Sequence, residues 1–347
     1  MALHQPIRTL ATTLLSVGLL LDPPAAAQEE TTSYFGASAT GELWYADWSS
    51  ESQWSKEGVD IEYDIKPSFI QGYHTAFVHY AGNHHTTALA LNYLTSKLSK
   101  DTPAEDPHGD GDGAETYRQI QALVDQRVGD GYVHFQVMRA EFDGTVRVEN
   151  GGSAFDPTKG NRFPVKTKWF KADTMYLKET GDRLAGFGFR YISYNKPEAT
   201  SLFVADGPTD GLATEGDLTS GEILETTYRG YYLTFGLLDK SSLGIPTDTP
   251  LFFDALLYLG VGTAKNDVLE ANDGFGGGVE GSLGLKHTYC FLDDRAQLTI
   301  RAGYRVLYNK ISNSQKEGED AQGNEVFRVT ETIDLWHGPF AGLTLSF

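Results

Sequence analysis

Two-residue alternation along most of the chain, no apolar run near 20 residues beyond the first 27, and a sorting of connections into a short and a long set predict an all-β fold. The expected architecture is a transmembrane, antiparallel, up-and-down β-barrel of about 12 strands, with one short helix in a long loop. An even count of about 10 or 14 is the alternative. The alternation is clearest at the end of the chain. One register reads Leu335, His337, Pro339, Ala341, Leu343, Leu345 and Phe347; the other reads Trp336, Gly338, Phe340, Gly342, Thr344 and Ser346. A period of two gives a strand with two unlike faces.

The chain has 347 residues and a formal net charge of -19. In its first 27 residues, His4 and Arg8 flank the start of an apolar run over 9–21. Pro23, Pro24 and the alanines at 25–27 follow. That pattern predicts a secretory signal peptide over 1–27, removed to leave 28–347 as the barrel domain. Its loss takes away Arg8 and Asp22, so the net charge is unchanged. A helical membrane protein is excluded by the missing apolar run, and a nucleic-acid binder by the acidic balance. The mean hydropathy of -0.33 suits a barrel with a polar lumen and polar loops. Cys290 is the single cysteine, so no intramolecular disulfide forms. The high counts of tyrosine (18), phenylalanine (19) and glycine (38) fit strands with aromatic girdles and small lumen residues.

Taken in order, the first strand covers 34–46, with Phe35, Ala37, Ala39, Gly41, Leu43 and Tyr45 opposing Ser38, Thr40, Glu42 and Trp44. The second covers 58–82 and slips phase near Pro67, which suggests a bulge because proline cannot donate to a ladder. The third puts Thr87, Leu89, Leu91 and Tyr93 outward. In 98–130, Tyr117, Ile120, Leu123, Val124 and Val128 share one helical face, so residues 114–128 read as a helix able to plug the lumen or cap its mouth. Strands over 132–142 and 145–154 follow, joined by Asp143-Gly144, a strong hairpin signal. Further strands cover 164–178, 183–195, 222–238, 250–264, 276–291 and 295–310, and a closing strand reaches Phe347.

The connections then alternate. One set is 83–84, 143–144, 179–182, 239–249 and 292–294, and all but 239–249 are tight. The other set is 47–57, 98–130, 155–163, 196–221, 265–275 and 311–325, all long. A soluble sandwich has no reason to sort loop lengths this way. A membrane barrel does, with short turns on one side and long loops on the other.

On these features, above all the closing strand that ends in Phe347, the chain resembles a bacterial outer-membrane β-barrel, porin-like, with no particular subfamily matched. The resemblance covers the mature chain and is one of architecture. It implies location in the outer membrane and contact with its lipid and lipopolysaccharide. It also implies that Phe347 is read by the barrel-assembly machinery.

A charge on the lipid face costs about 2–4 kcal/mol for Arg or Lys at mid-membrane, so charges on the strands are expected to line the lumen. These are Glu42, Arg190, Glu225, Arg229, Asp254, Glu280, Lys286, Arg301 and Arg305, together with Arg147, Lys171 and Asp173. Arg301 and Arg305 stand either side of Gly303, which is expected to widen the lumen between them. Two readings follow. The charges set the preference of a pore that passes small solutes or ions. Alternatively they pair inside a closed lumen, and the protein is a surface-exposed structural or interaction barrel.

An enzyme is the third reading, and the residues argue against it. No His-x-Ser-Asn run of the outer-membrane phospholipase kind is present. Asp110-x-Asp112 and Asp106-x-His108 have the residue types of the omptin proteases but share one loop. The acidic run 106–113 resembles a calcium loop only in spacing: with His108 first, Gln119 falls twelfth, where the EF-hand needs Glu. The nine histidines show no ligand spacing. No metal and no cofactor is expected.

Overall fold

The computed structural model describes residues 33–54, 59–81, 84–97, 116–150, 162–198, 224–243, 247, 249–265, 272–291, 296–313, 317–319, 325–327 and 329–347. Within these, side chains are described except at 50–54, 59–68, 84–85, 97, 143–150, 162–165, 196–198, 224–225, 243, 272, 317–319, 325–327 and 329–330. The signal segment and the acidic run 106–113 fall outside the described residues.

Twelve strands form one sheet: β1 (Ser33–Trp54), β2 (Val59–Ala81), β3 (His84–Lys97), β4 (Thr116–Val128), β5 (Gly131–Asn150), β6 (Arg162–Thr180), β7 (Arg183–Glu198), β8 (Leu224–Asp239), β9 (Leu251–Lys265), β10 (Asn272–Phe291), β11 (Ala296–Asn313) and β14 (Val329–Ser346). A small hairpin of β12 (Glu317–Glu319) and β13 (Glu325–Phe327) lies in the connection before β14. Each barrel strand pairs with its neighbours in sequence, and β14 pairs back onto β1 from Ser38↔Ser346 to Trp54↔Val329. Phe347 and Ala37 exchange backbone hydrogen bonds at 2.8 and 3.0 Å, which completes that seam. Closure matters because lipid satisfies no backbone N–H or C=O, so a spanning sheet can leave no free edge.

The strand count of 12 stands for a different reason than the sequence suggests. Residues 116–128 are not a helix. They are β4, paired along their whole length with β3 and β5. Asp143-Gly144 is not a turn: both residues continue β5, opposite Lys166 and Val165 of β6. One strand is gained and one lost. The tight turn between β4 and β5 is Gly129-Asp130, with Gly129 at φ 63°, matched by Gly181 at φ 63° between β6 and β7. Glycine adopts this left-handed conformation without a Cβ clash. Lys178 Nζ at 3.0 Å and the Tyr176 hydroxyl at 2.9 Å hold the Asp130 carboxyl below the usual carboxylate range, the lysine being the larger influence. The register of β2 shifts at Glu62/Tyr63 against β5 and at His79/Tyr80 against β3; Pro67, where the sequence suggests a bulge, lies between these two pairings.

The outer face is the apolar register. Phe35, Leu43 and Tyr45 of β1, Phe69, Tyr73 and Phe77 of β2, and Leu257, Leu259 and Val261 of β9 are all exposed. Phe187 and Phe189 of β7 stand 63% and 64% exposed, a level that a water-facing surface would not repeat around a whole ring. Among the described residues, charges on the outer register lie near the ends of this belt, as do Arg118, Arg139, Lys166, Lys168 and Arg229 toward the long-loop end and Lys178 toward the short-turn end.

Candidate functional site

The lumen is built from the inward register, and its composition changes with height. At the turn end, the side formed by β2 to β8 is largely apolar. Ala76, Val78, Ala88, Ala90, Leu123, Tyr132, Met175, Leu177, Leu184 and Leu238 pack there as one buried cluster drawn from β2 to β8. The connection between β8 and β9, which opens with a 3-10 turn over Lys240–Leu243, is tied to this end. Lys286 Nζ donates to Asp239 Oδ1 and Ser241 Oγ, both at 2.9 Å, and to Thr247 Oγ1. Asp254 accepts from the Asp239 N–H (2.7 Å), Ser242 Oγ (2.6 Å) and Ser282 Oγ (3.1 Å). On the β4–β5 wall, His134 Nδ1 stands 2.9 Å from Asp125 Oδ1, both buried.

The middle carries two charge clusters. In the first, Arg190 Nε and Nη2 bind the two oxygens of Asp173 at 2.7 and 3.0 Å, and Nη1 binds Glu280 Oε1 at 2.8 Å. Lys171 Nζ reaches Glu280 from β6 at 3.0 and 2.8 Å, and the Tyr258 ring lies 4.4 Å from the Arg190 guanidinium carbon. Glu280 on β10 thus takes partners from β6 and β7, so the cluster bridges across the lumen instead of lying along one wall.

In the second cluster, Glu42 of β1 meets Arg301 Nη2 at 2.7 Å and Arg305 Nη1 at 2.8 Å, both from β11. β14 runs between them. Its Gly342 pairs with both Glu42 and Arg301, and Gly338 pairs with Arg305. A side chain at Gly342 would start 3.1 Å from Arg301 Nε, so glycine leaves the arginines free to reach across. Arg305 also lies over the rings of Phe340 (4.7 Å) and Trp44 (5.2 Å), a favourable seat for a guanidinium.

Toward the loop end the lumen turns aromatic. Trp48 stacks on Trp336 at 4.6 Å, Trp336 meets Tyr117 at 5.4 Å and Trp169 at 6.0 Å, and Phe142 packs on Trp48 at 4.9 Å. A tyrosine group on β7 to β9, with Tyr194 stacked on Tyr228, packs beside Ile192 and Ile311. Between the ends lies a cavity of about 350 Å³ with lining residues from all twelve barrel strands.

Seven of the nine expected lumen charges face inward: Glu42, Arg190, Asp254, Glu280, Lys286, Arg301 and Arg305. Lys171 and Asp173 join them. Arg229 does not. It lies on the outer register of β8 with Tyr231 and Leu233, exposed, just beyond the end of the apolar belt. A long cationic side chain there reaches polar surroundings, so the cost that forces charges inward does not apply. The side chains of Glu225 and Arg147 lie outside the described ones. Gly303 does not open a gap between the arginines. It pairs with Gly284 and Phe340, and the Phe340 ring occupies that level.

Sequence reasoning missed the lumen aromatics and the Asp125–His134 pair. The signal existed: Trp44, Trp336 and Phe340 sit on the register that was read as polar.

No protein-family model and no curated protein sequence matches the chain. Among solved structures, the translocator domain of the autotransporter NalP from Neisseria meningitidis aligns over 99% of this chain and 95% of its own. The identity is 11% and the TM-score 0.33. A Pseudomonas aeruginosa FadL homologue aligns over 90% of each chain, at 12% identity and a TM-score of 0.30. The outer-membrane protease OmpT from Escherichia coli aligns over 92% of this chain and 99% of its own, at 8% identity and a TM-score of 0.27. These proteins differ in function and assign none to this chain. Its own geometry defines the class. A closed antiparallel barrel with an apolar belt outside and polar groups within is an outer-membrane β-barrel, resident in the outer membrane.

Proposed function

We propose that the barrel passes small, uncharged solutes passively across the outer membrane. One observation carries this reading. The cavity takes lining residues from every barrel strand and extends along β14 from Thr344 to Asp334. That is about 33 Å of strand at the usual rise, comparable with the height of the belt. Most of the lumen charges are engaged with one another, so the bore offers solutes little uncompensated field and gives ions little reason to be preferred. Glu42 sits between the guanidinium groups of Arg301 and Arg305, which reduces the positive field that this pair presents to the bore.

A second reading has an observation behind it as well. The bridge Lys171–Glu280–Arg190 spans the lumen from β6 and β7 to β10, and the Trp169–Trp336 contact ties opposite walls together, as a closed structural barrel would require. A hydrolase has the least support: its nearest pair, His134 and Asp125, is buried in the wall and not set at a rim. Swelling of proteoliposomes in glycerol or glucose, with single-channel recording in KCl, tests the proposal. Expected are glycerol entry and small current steps of weak ion preference. A folded barrel silent in both assays overturns it in favour of the structural reading.

A further inference from the structure

We infer that the chamber binds a neutral, hydroxylated ring, a mono- or disaccharide, between the tryptophans of its loop end and the carboxamides just beneath them. The inference names the solute of the channel reading and rests on that reading for its biological role.

Four of the five tryptophans lie in the lumen, and Trp169 and Trp336 both line the chamber with part of their rings uncovered. Trp48 and Phe142, almost fully buried, hold them in place. Below this layer, β3 and β4 set a row of carboxamides against the cavity. Asn92 Nδ2 donates to Gln121 Oε1 at 3.1 Å, Gln119 Nε2 donates to the same oxygen at 3.4 Å, and the Tyr117 hydroxyl donates to Gln119 Oε1 at 2.6 Å. Gln121 therefore accepts twice and keeps its two N–H donors for a guest.

The chemistry of the guest follows by comparing candidates. An ion finds the neighbouring Lys171, Arg190, Glu280 and Glu42 already paired. A hydrocarbon would cover the rings but strip water from the carboxamides without replacing its hydrogen bonds. A saccharide satisfies both surfaces: its C–H face lies on an indole and its hydroxyls bond the amides. At about 350 Å³ the cavity is also at the small end of ligand sites, in keeping with one or two sugar rings.

The test uses the refolded full barrel and its intrinsic tryptophan emission, titrated with maltose and, separately, with toluene. Maltose should give a saturable change. Gln121→Ala should raise the half-saturating maltose concentration about three- to tenfold, the effect of one neutral hydrogen bond. Trp169→Ala should remove the saturable response. Heat-dependent gel mobility checks that each variant is folded, and Gln121→Ala keeps the test valid should the tryptophan variant not fold. Saturation by toluene with none by maltose overturns the inference, as does silence to both. Current steps in KCl without a maltose response sink the sugar alone; a maltose response without current steps sinks passage and leaves the binding site.

Discussion

Trp336 and Trp169 stand on strands six places apart around the barrel in either direction, and their rings meet at 6.0 Å, inclined by 77°. Diametrically opposite walls therefore touch at the loop end of the lumen. The contact joins β14 to β6, and both rings line the chamber toward its loop end.

The first prediction concerns that crossing. Trp336→Ala removes its contacts with Trp48, Trp169 and Tyr117 together. Each aromatic pair adds about 0.5–1.5 kcal/mol beyond area burial, so the variant should unfold more easily by a few kcal/mol. Its single-channel conductance should rise relative to the native barrel. An unchanged conductance in a folded variant would move the constriction elsewhere.

The second concerns the clasp on Glu42. Glu42→Gln leaves two arginines facing each other at the wall, partly buried, and should cost about 3–5 kcal/mol. Replacing Glu42, Arg301 and Arg305 all by Gln should recover much of that loss, because no charge is then left unpaired. Denaturant melts of the single and triple variants decide this; a triple variant less stable than the single one refutes the pairing.

A third prediction compares two glycines. A methyl group on Gly338 would lie 1.8 Å from the Tyr45 carbonyl oxygen, at a backbone φ of 154°, whereas one on Gly41 meets nothing within 4 Å. Gly338→Ala should abolish the heat-modifiable folded form on a gel. Gly41→Ala should change stability by no more than about 0.5 kcal/mol.

At the chain terminus, effects on assembly and on stability are expected to separate. The Phe347 side chain is 63% exposed while its backbone closes the seam to Ala37. Phe347→Ala should leave the melting of refolded barrel almost unchanged and yet lower its outer-membrane yield in cells. An equal yield would remove the side chain as a signal to the assembly machinery.

Orientation is checked by labelling. In a Cys290→Ser background, needed because that thiol is exposed, a cysteine at Asp210 should react with an impermeant reagent on intact cells. One at Gly181 should not. Short turns face the periplasm and long loops the exterior in outer-membrane barrels, and the reverse pattern refutes that orientation here.

The faces of the strands were legible because each lipid-facing position must be apolar. Leu43, Tyr93, Leu257 and Leu343 all lie where alternation puts them. β4 was not legible. Its inward register, Tyr117, Gln119, Gln121, Leu123 and Asp125, mixes apolar and polar groups, since a lumen accepts both. Its apolar residues happen also to satisfy a period near 3.6. At Asp143-Gly144 the local turn preference was overridden by a ladder that runs unbroken from Gly131 to Arg147 against β6. The lumen contacts were beyond sequence reasoning for another reason. Arg190 finds Glu280 ninety residues away, and no local pattern encodes that pairing.

The Glu42 clasp has a consequence for how the sheet finds its own end. Until β14 docks on β1, the nascent sheet has two open edges, and each could add a strand from another unfinished chain. At one edge is a carboxylate; one strand in from the other are two guanidinium groups, with glycines clearing the way between. A foreign strand that lacks this complement would bury charge without a counter-charge. Closure by the chain's own β14 instead brings Glu42 within reach of Arg301 and Arg305, so the seam that ends the sheet also satisfies its charges.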